Sequence, residues 1–362
     1  MAIHSKDVAK KFIFKMHLNI VTRFSFPRAN RGPAKVLKNT IKGLELNRIE
    51  YTVSPHLDTT AINWIQDSPL GLIEAGFINQ PVIVGPNVAV LPSDLPKFRF
   101  KVNTNSVYLF PSLWPLQHWE KMGFSEAKMR IWSSGVDVDV FHKLKRSNYQ
   151  PKKILVYFKN RDRATLNRVL TILCENKFDY VVLEYGNYTE DHYLKILAEC
   201  FFAVWISGSE SQGYAMLEAM ATGLPIIVCD INKISENVNT MRNVSKTFFP
   251  SELDAVKVSA SPYFSNQCGY IVSDIKHLSI TIDRLLDEYQ TLDPAEYVNI
   301  NFDLKKCAYN LIDIAQSIQN NYDTNSKTIK PNLSQILRIS DLITRKTTWT
   351  TLLRKLKKYG FN

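Results

Sequence analysis

Residues 201–228 read FFAVWISGSESQGYAMLEAMATGLPIIV, and their order decides the fold. FFAVWIS (201–207) is a short, nearly all-apolar run rich in aromatic and β-branched side chains, the pattern of a strand buried on both faces. GSESQG (208–213) is turn chemistry. YAMLEAMAT (214–222) is made of good helix formers, and Gly223 with Pro225 closes that helix before the next apolar run, PIIVCD (225–230). Strand, loop, helix, strand is the repeating unit of a parallel α/β sheet. It sets Glu210 on the loop and Glu218 in the second helical turn, inside an apolar run where an unpaired carboxylate is expensive.

In an open α/β sheet, ligands bind beyond the carboxyl ends of the strands, beside helix N-termini. Free N–H groups and the helix dipole there favour an anionic phosphate. Gly213 has no side chain to hold backbone amides away from it. Carboxylates beside such a site suit a ligand that carries vicinal hydroxyls as well as phosphate, since one carboxylate accepts several hydrogen bonds. A nucleotide sugar offers all of these groups. The plainer alternative for Glu218 is a side chain that reaches the surface or pairs with an arginine.

The same alternation runs through the rest of the chain. FIFKMHLNIVT (12–22), IEYTV (49–53), AINWI (61–65), PVIVG (81–85) and SVYLFP (106–111) read as strands. Helices are expected at AKVLKNTIKGLELN (34–47) and from about Trp114 to Met122. HKLKRSNYQPKK (142–153) is charged and poor in apolar residues, so it reads as a linker. The rhythm restarts with strands KILVYF (153–158) and YVVLEYG (180–186), helices ATLNRVLTILCEN (164–176) and DHYLKILAEC (191–200), and the opening segment. Two successive doubly wound sheets joined by a linker is the simplest architecture. From about Ala295 the pattern is helical through Gln319, then polar, then basic. No internal repeat is visible, which excludes a solenoid.

At this point the opening segment resembles a known pattern. ESQGYAMLEAMATGLPIIV (210–228) is similar to the E-x7-E segment of retaining glycosyltransferases with the GT-B fold, the glycosyl transferases group 1 class. Glu210, Gly213, Glu218, Ala219, Met220, Gly223 and Pro225 fall in register with that pattern; Ser211 and Gln212 replace its Gly-Phe, and Tyr214 follows Gly213. Upstream, VYLFPSLWPLQHWEKMGFSEAKMRIWSSGVDVDVF (107–141) resembles the end of that class's first domain, with its GVD-x-x-x-F turn. The resemblance covers roughly residues 15–320. It implies an α/β fold of GT-B architecture, two Rossmann-like domains facing a central cleft: residues 1–145 on the acceptor side, 146–320 binding the nucleotide sugar, and 321–362 a connector and tail. It further implies that Glu218 hydrogen-bonds the donor ribose and that Glu210 contacts the transferred sugar or supports the reacting face. Amides near Gly213 would hold the diphosphate, with Ser211, Gln212 and Tyr214 beside them. The donor expected is a UDP-, GDP- or ADP-sugar, transferred with retention of configuration to a glycan, lipid-linked or other acceptor. No bound metal or other cofactor is expected.

A departing diphosphate needs fixed cations. Lys159, Arg161 and Arg163 cluster where a strand gives way to a helix. The family's G-R-x-x-x-x-K spacing is absent there, so Lys159 is the first choice for the clamp and Arg161 the second; Arg163 reads as a solvated charge. In the first β-α loop, RFSFPRANRGP (23–33), the family's glycine-rich turn is reduced to Gly32 with Pro33, and Arg28 and Arg31 stand ready for an anionic acceptor, the donor phosphates or plain solvent. His56 and Asn87 fall at or near strand ends and are weaker candidates on the first-domain side. No His/Cys/Asp cluster has metal-ligand spacing.

The net charge of +11 is concentrated at the ends. Residues 1–60 hold 11 Lys/Arg against 4 Asp/Glu, residues 321–362 hold 9 against 2, and the 260 between hold 25 against 28. In the tail TTWTTLLRKLKKYGFN (347–362), Trp349, Leu352, Leu353, Leu356 and Tyr359 gather largely on one helical face among lysines. That segment suits the surface of an anionic membrane, and equally a terminal helix packed on the protein. No apolar run is long enough for a membrane span, the first residues lack a clean apolar stretch with a small-residue cleavage site, so no signal peptide is expected, and five widely spaced cysteines suggest no disulfide framework. Cytoplasmic residence, peripheral on a membrane or not, is expected. Of Cys174, Cys200 and Cys229, each in an apolar segment, burial is expected. A catalytically silent GT-B scaffold serving as a binding or assembly subunit is the competing reading; the loosened clamp and glycine turn favour it and the intact acid pair opposes it. Nucleic-acid binding by the basic ends is disfavoured, because no stacking-aromatic motif accompanies them.

Overall fold

The computed structural model describes residues 17–22, 32–78, 80–88, 103–121, 123–124, 128–144, 153–238 and 254–319. Eleven strands form two parallel sheets among these residues. The first contains β1 (Leu18–Val21), β2 (Tyr51–Ser54), β3 (Ile62–Ile65), β4 (Ile83–Val84), β5 (Val107–Phe110) and β6 (Lys128–Ile131), in the order β2-β1-β3-β4-β5-β6. The second contains β7 (Lys153–Lys159), β8 (Tyr180–Glu184), β9 (Cys200–Ser207), β10 (Ile226–Cys229) and β11 (Gly269–Val272), in the order β11-β10-β9-β7-β8. This is the two-sheet α/β architecture expected from the sequence. The expected linker falls mostly on residues 145–152, outside the described residues, as do the basic tail and seven of the eleven lysines and arginines of residues 1–60.

A parallel sheet covered on both faces needs strands apolar on both faces. In β7, Ile154, Val156 and Phe158 enter one core cluster while Leu155 and Tyr157 enter the other. In β9, Phe202, Val204 and Ile206 share the first of these and Ala203 and Trp205 the second. The period of two along the strand thus feeds both helical layers. β11 has no counterpart among the strands read from the sequence: four residues long, at the sheet edge, it is buried only at its two ends.

The helices are α1 (Gly32–Leu46), α2 (Pro69–Ile78), α3 (Leu113–Lys121), α4 (Arg163–Glu175), α5 (Glu190–Glu199), α6 (Tyr214–Ala221), α7 (Leu278–Asp287), α8 (Pro294–Phe302) and α9 (Leu304–Gln319). Asp162 caps α4 by accepting from the Thr165 amide, and Thr189 caps α5 by accepting from the His192 amide. Cys200 and Cys229 are buried as expected; Cys174 is exposed, because it lies on the outer face of α4. No described helix is long and apolar enough to cross a membrane.

The last described helix, α9, does not stay with the sheet it follows in the chain. Leu311, Ile312, Ala315 and Ile318 of α9 pack with Val36, Leu37 and Leu44 of α1 and with Leu18, Ile20 and Trp64 of the first sheet. Trp132 Nε1 donates to the Cys307 carbonyl at 2.9 Å, and Asn47 Nδ2 donates to that of Lys305 at 2.9 Å. The close approach is set by Gly43, where a Cβ would meet the Leu304 carbonyl oxygen at 2.4 Å and the Ala308 Cβ at 2.9 Å. Because the first obstacle is backbone, Gly43→Ala is expected to destabilise the protein by about 1–3 kcal/mol despite alanine's better helix propensity. A lower denaturant midpoint in equilibrium unfolding would show it.

Candidate functional site

β9 delivers the chain to the loop 208–213 at its carboxyl end, and α6 leaves from there. Gly213 is the N-cap residue of α6 with φ +79°, a left-handed conformation that favours glycine. No described side chain caps this helix start, so its first amides face the space beyond it. They border a cavity of about 700 Å³ between the two sheets. From the first sheet's side, Gly32, Lys35 and Asn87 line it; from the second come Tyr157, Lys159, Glu210, Ser211, Gln212 and Glu218.

Both acids of the opening segment are therefore in one cleft. Lys159 Nζ lies 2.7 Å from Glu210 Oε1 and donates to Oε2 at 2.8 Å, while resting 4.4 Å from the centre of the Tyr185 ring. The Glu210 backbone is fixed from both sides: Trp114 Nε1, on α3, donates to its carbonyl at 2.8 Å, and its amide donates to the Ser259 carbonyl at 3.0 Å. Glu218 is only 3 % exposed and pairs through Oε1 with Lys35 of α1. Lys35 Nζ also lies 3.1 Å from Glu190 Oε2, at the start of α5. Burial pushes the Glu218 carboxyl up to about 7, with Lys35 as the strongest opposing influence. Burial also works against the Lys35 ammonium, but Glu218 and Glu190 outweigh it and hold its pKa above the ordinary lysine value.

Of the remaining expected residues, Gln212 lines the cleft but spends its side chain elsewhere. Its Nε2 donates to the Ser134 carbonyl at 2.7 Å and its Oε1 accepts from the Ser134 amide at 3.4 Å, tying the acid loop to the first unit. The Tyr214 ring is likewise buried in the first sheet's core cluster. The Asn87 backbone N–H donates to the Gln66 carbonyl at 3.1 Å. Arg161 is not brought to the cleft. The backbone turns through a left-handed Asn160 (φ 55°), and the guanidinium settles 3.4 Å from the carbonyls of Ser207 and Cys229, where it ties two strand ends together. His56 also lies off the lining, with Nδ1 3.1 Å from Glu74 Oε1. Arg28 lies outside the described residues.

Sequence reasoning passed over Lys35, Glu190 and an aromatic wall. Tyr157 and Trp205 stack at 3.9 Å and 10°, the Tyr157 and Tyr188 hydroxyls are 3.1 Å apart, and Tyr193 donates to the Ala215 carbonyl at 2.5 Å; all four line the cleft. One signal for Lys35 was present: Lys35, Lys38 and Lys42 recur at spacings of three and four, one face of α1. That face meets acids, since Lys42 pairs with Asp137 at 2.7 Å. Among the described residues, no group of three or more His, Cys, Asp or Glu is placed to hold a metal ion.

No family model matches the chain, and no curated protein matches it. Solved structures do. The catalytic domain of starch synthase IV from Arabidopsis thaliana, bound to ADP and acarbose, aligns at TM-score 0.54 and 10 % identity, covering 84 % of this chain and 99 % of that one. Sucrose-phosphate synthase from Thermosynechococcus elongatus aligns at TM-score 0.50 and 11 % identity, covering 85 % and 100 %. The chain has the GT-B fold, two Rossmann-like parallel-sheet units.

The elevated Glu218 carboxyl has a consequence for stability. Below the ordinary glutamate value of 4.5 both folded and unfolded chains hold the proton; between there and about 7 only the folded chain keeps it. Glu218 therefore makes stability fall as pH rises across that window, and adds no further slope above it. The stability difference between the wild type and Glu218→Gln, from denaturant midpoints measured at intervals through the window, should change with that sign.

Proposed function

We propose that this chain transfers a sugar from a nucleotide-sugar donor to a hydroxyl-bearing acceptor, with retention of configuration. One observation carries the reading: the two acids of the E-x7-E segment and Lys159 converge on a single inter-sheet cleft at an uncapped helix start. In this reading Glu218 accepts the ribose hydroxyls, and the first amides of α6, beside Gly213 and Ser211, take the diphosphate. Lys159 is the cation that meets the charge developing as the diphosphate leaves. Glu210 holds this lysine, so donor phosphate would compete for it and free Glu210 for the transferred sugar. The acceptor approaches from the first unit, past Gly32 and Asn87, and attacks the anomeric carbon on the face the diphosphate vacates. The fold neighbour from Arabidopsis carries ADP; for this chain UDP, GDP and ADP donors all stand as candidates.

A second reading, a catalytically silent GT-B scaffold, draws on one feature of the same cleft. Its described lining holds three acids, Glu190, Glu210 and Glu218, against two lysines, Lys35 and Lys159, and both lysines are already paired. A scaffold would bind no donor.

Calorimetric titration with UDP-, GDP- and ADP-sugars, followed by assay of nucleotide release, separates the two. Binding of one donor is expected. Lys159→Ala should cost more in turnover than in donor affinity, because its charge is needed most as the diphosphate departs. Glu218→Ala should weaken donor binding about tenfold or more, in keeping with lost hydrogen bonds to a charged acceptor. No binding of any donor would leave the scaffold.

A further inference from the structure

Glu218 is a poor hydroxyl acceptor if left alone. A carboxyl buried this deeply takes up a proton unless a cation compensates it. Once protonated, it loses acceptor capacity and presents a donor where a diol needs acceptors. The groups facing it come from three helices and one loop. Glu190 and Tyr193 approach from α5, Tyr188 from the loop before α5, Tyr214 from α6, and Lys35 and Lys38 from α1. Burial keeps the three tyrosine hydroxyls neutral by raising their pKa values. Glu190 pushes Glu218 toward protonation, and Lys38 is a weaker opposing influence than Lys35. Among the described residues, Lys35 is the side chain that pairs with it, through Oε1, and none donates to Oε2. Lys35 is itself anchored, by Glu190 at 3.1 Å and by the Phe141 ring at 5.4 Å from its centroid.

Resting on the reading of Glu218 as the ribose acceptor, we propose that Lys35 is a positioning residue for donor binding: from the first unit, it keeps Glu218 ionised and turned so that Oε2 meets the ribose hydroxyls. The donor site is then incomplete in the second unit alone. It is finished only when α1 lies against α6, so a nucleotide sugar senses the closed arrangement of the two sheets through one ammonium group.

The test uses the full chain and three probes, UDP-glucose, GDP-mannose and ADP-glucose, whose diphosphate diesters do not titrate between about pH 5.5 and 9. Calorimetric binding is measured across that range for the wild type, Lys35→Met, Lys35→Arg and Glu218→Gln. Wild-type affinity should rise with pH as Glu218 loses its proton, by up to about tenfold per unit below the midpoint. Lys35→Met should move the midpoint upward by about one unit or more, Lys35→Arg should keep it near the wild-type position, and Glu218→Gln should flatten the profile. If Lys35→Met does not fold, Lys35→Gln carries the same expectation. A loss of affinity in Lys35→Met that is equal at every pH, or an unmoved midpoint, overturns the proposal while leaving the donor reading intact. Failure of all three probes to bind the wild type at any pH overturns the donor reading, and the role of Lys35 with it.

Discussion

A carboxylate withdrawn from water must find a cation or take up a proton, and the cleft of this protein is arranged around that constraint. Its two motif acids meet it differently. Glu210 is compensated within its own unit, by Lys159 at the end of β7. Glu218, deeper and at the second turn of α6, is compensated from across the cleft by Lys35. The choice of partner has mechanical consequences. One pair stays intact however the sheets are disposed, and the other exists only while they face each other. The buried ties from Gln212 to Ser134 and from Trp114 to the Glu210 carbonyl hold the acid loop in the register that makes the second pair geometrically available. Charge compensation and inter-sheet packing are therefore a single requirement here, satisfied by a few residues on either side.

The fold was largely legible because parallel strands covered on both faces leave short apolar runs that nothing else produces so regularly. FFAVWIS and KILVYF announce themselves in this way; Gly-Tyr-Ile-Val at 269–272 does not, because an edge strand with partly exposed residues carries little of that signal. The acid pair was legible for a related reason, as Glu218 interrupts an apolar helix. Its partner was not. Lys35 is separated from Glu218 by 183 positions, and a lysine in the first turn of an amphipathic helix looks like any solvated charge. Arg161 shows the converse. Two residues from Lys159 and equally basic, it follows a left-handed Asn160 and faces strand-end carbonyls, a divergence decided by one backbone angle that composition does not report.

Gln212 and Tyr214 illustrate a third kind of shortfall. Both lie within the motif and both border the cleft, yet their side chains serve the junction between the sheets, one by hydrogen bonds and one by burial in the opposite core. A motif read from sequence identifies which residues are near the chemistry. It does not separate those that touch a ligand from those that hold the frame, because the two roles ask for similar polar and aromatic types at the same loop.

The return of α9 to the first sheet bears on the order in which the chain can be completed during synthesis. Leu311, Ile312, Ala315 and Ile318 complete that sheet's core against Val36, Leu37 and Leu44 of α1. While the ribosome is making the second sheet, α1 still lacks the apolar neighbour that α9 supplies. The first sheet thus carries an unfinished hydrophobic face until residues 304–319 have been made.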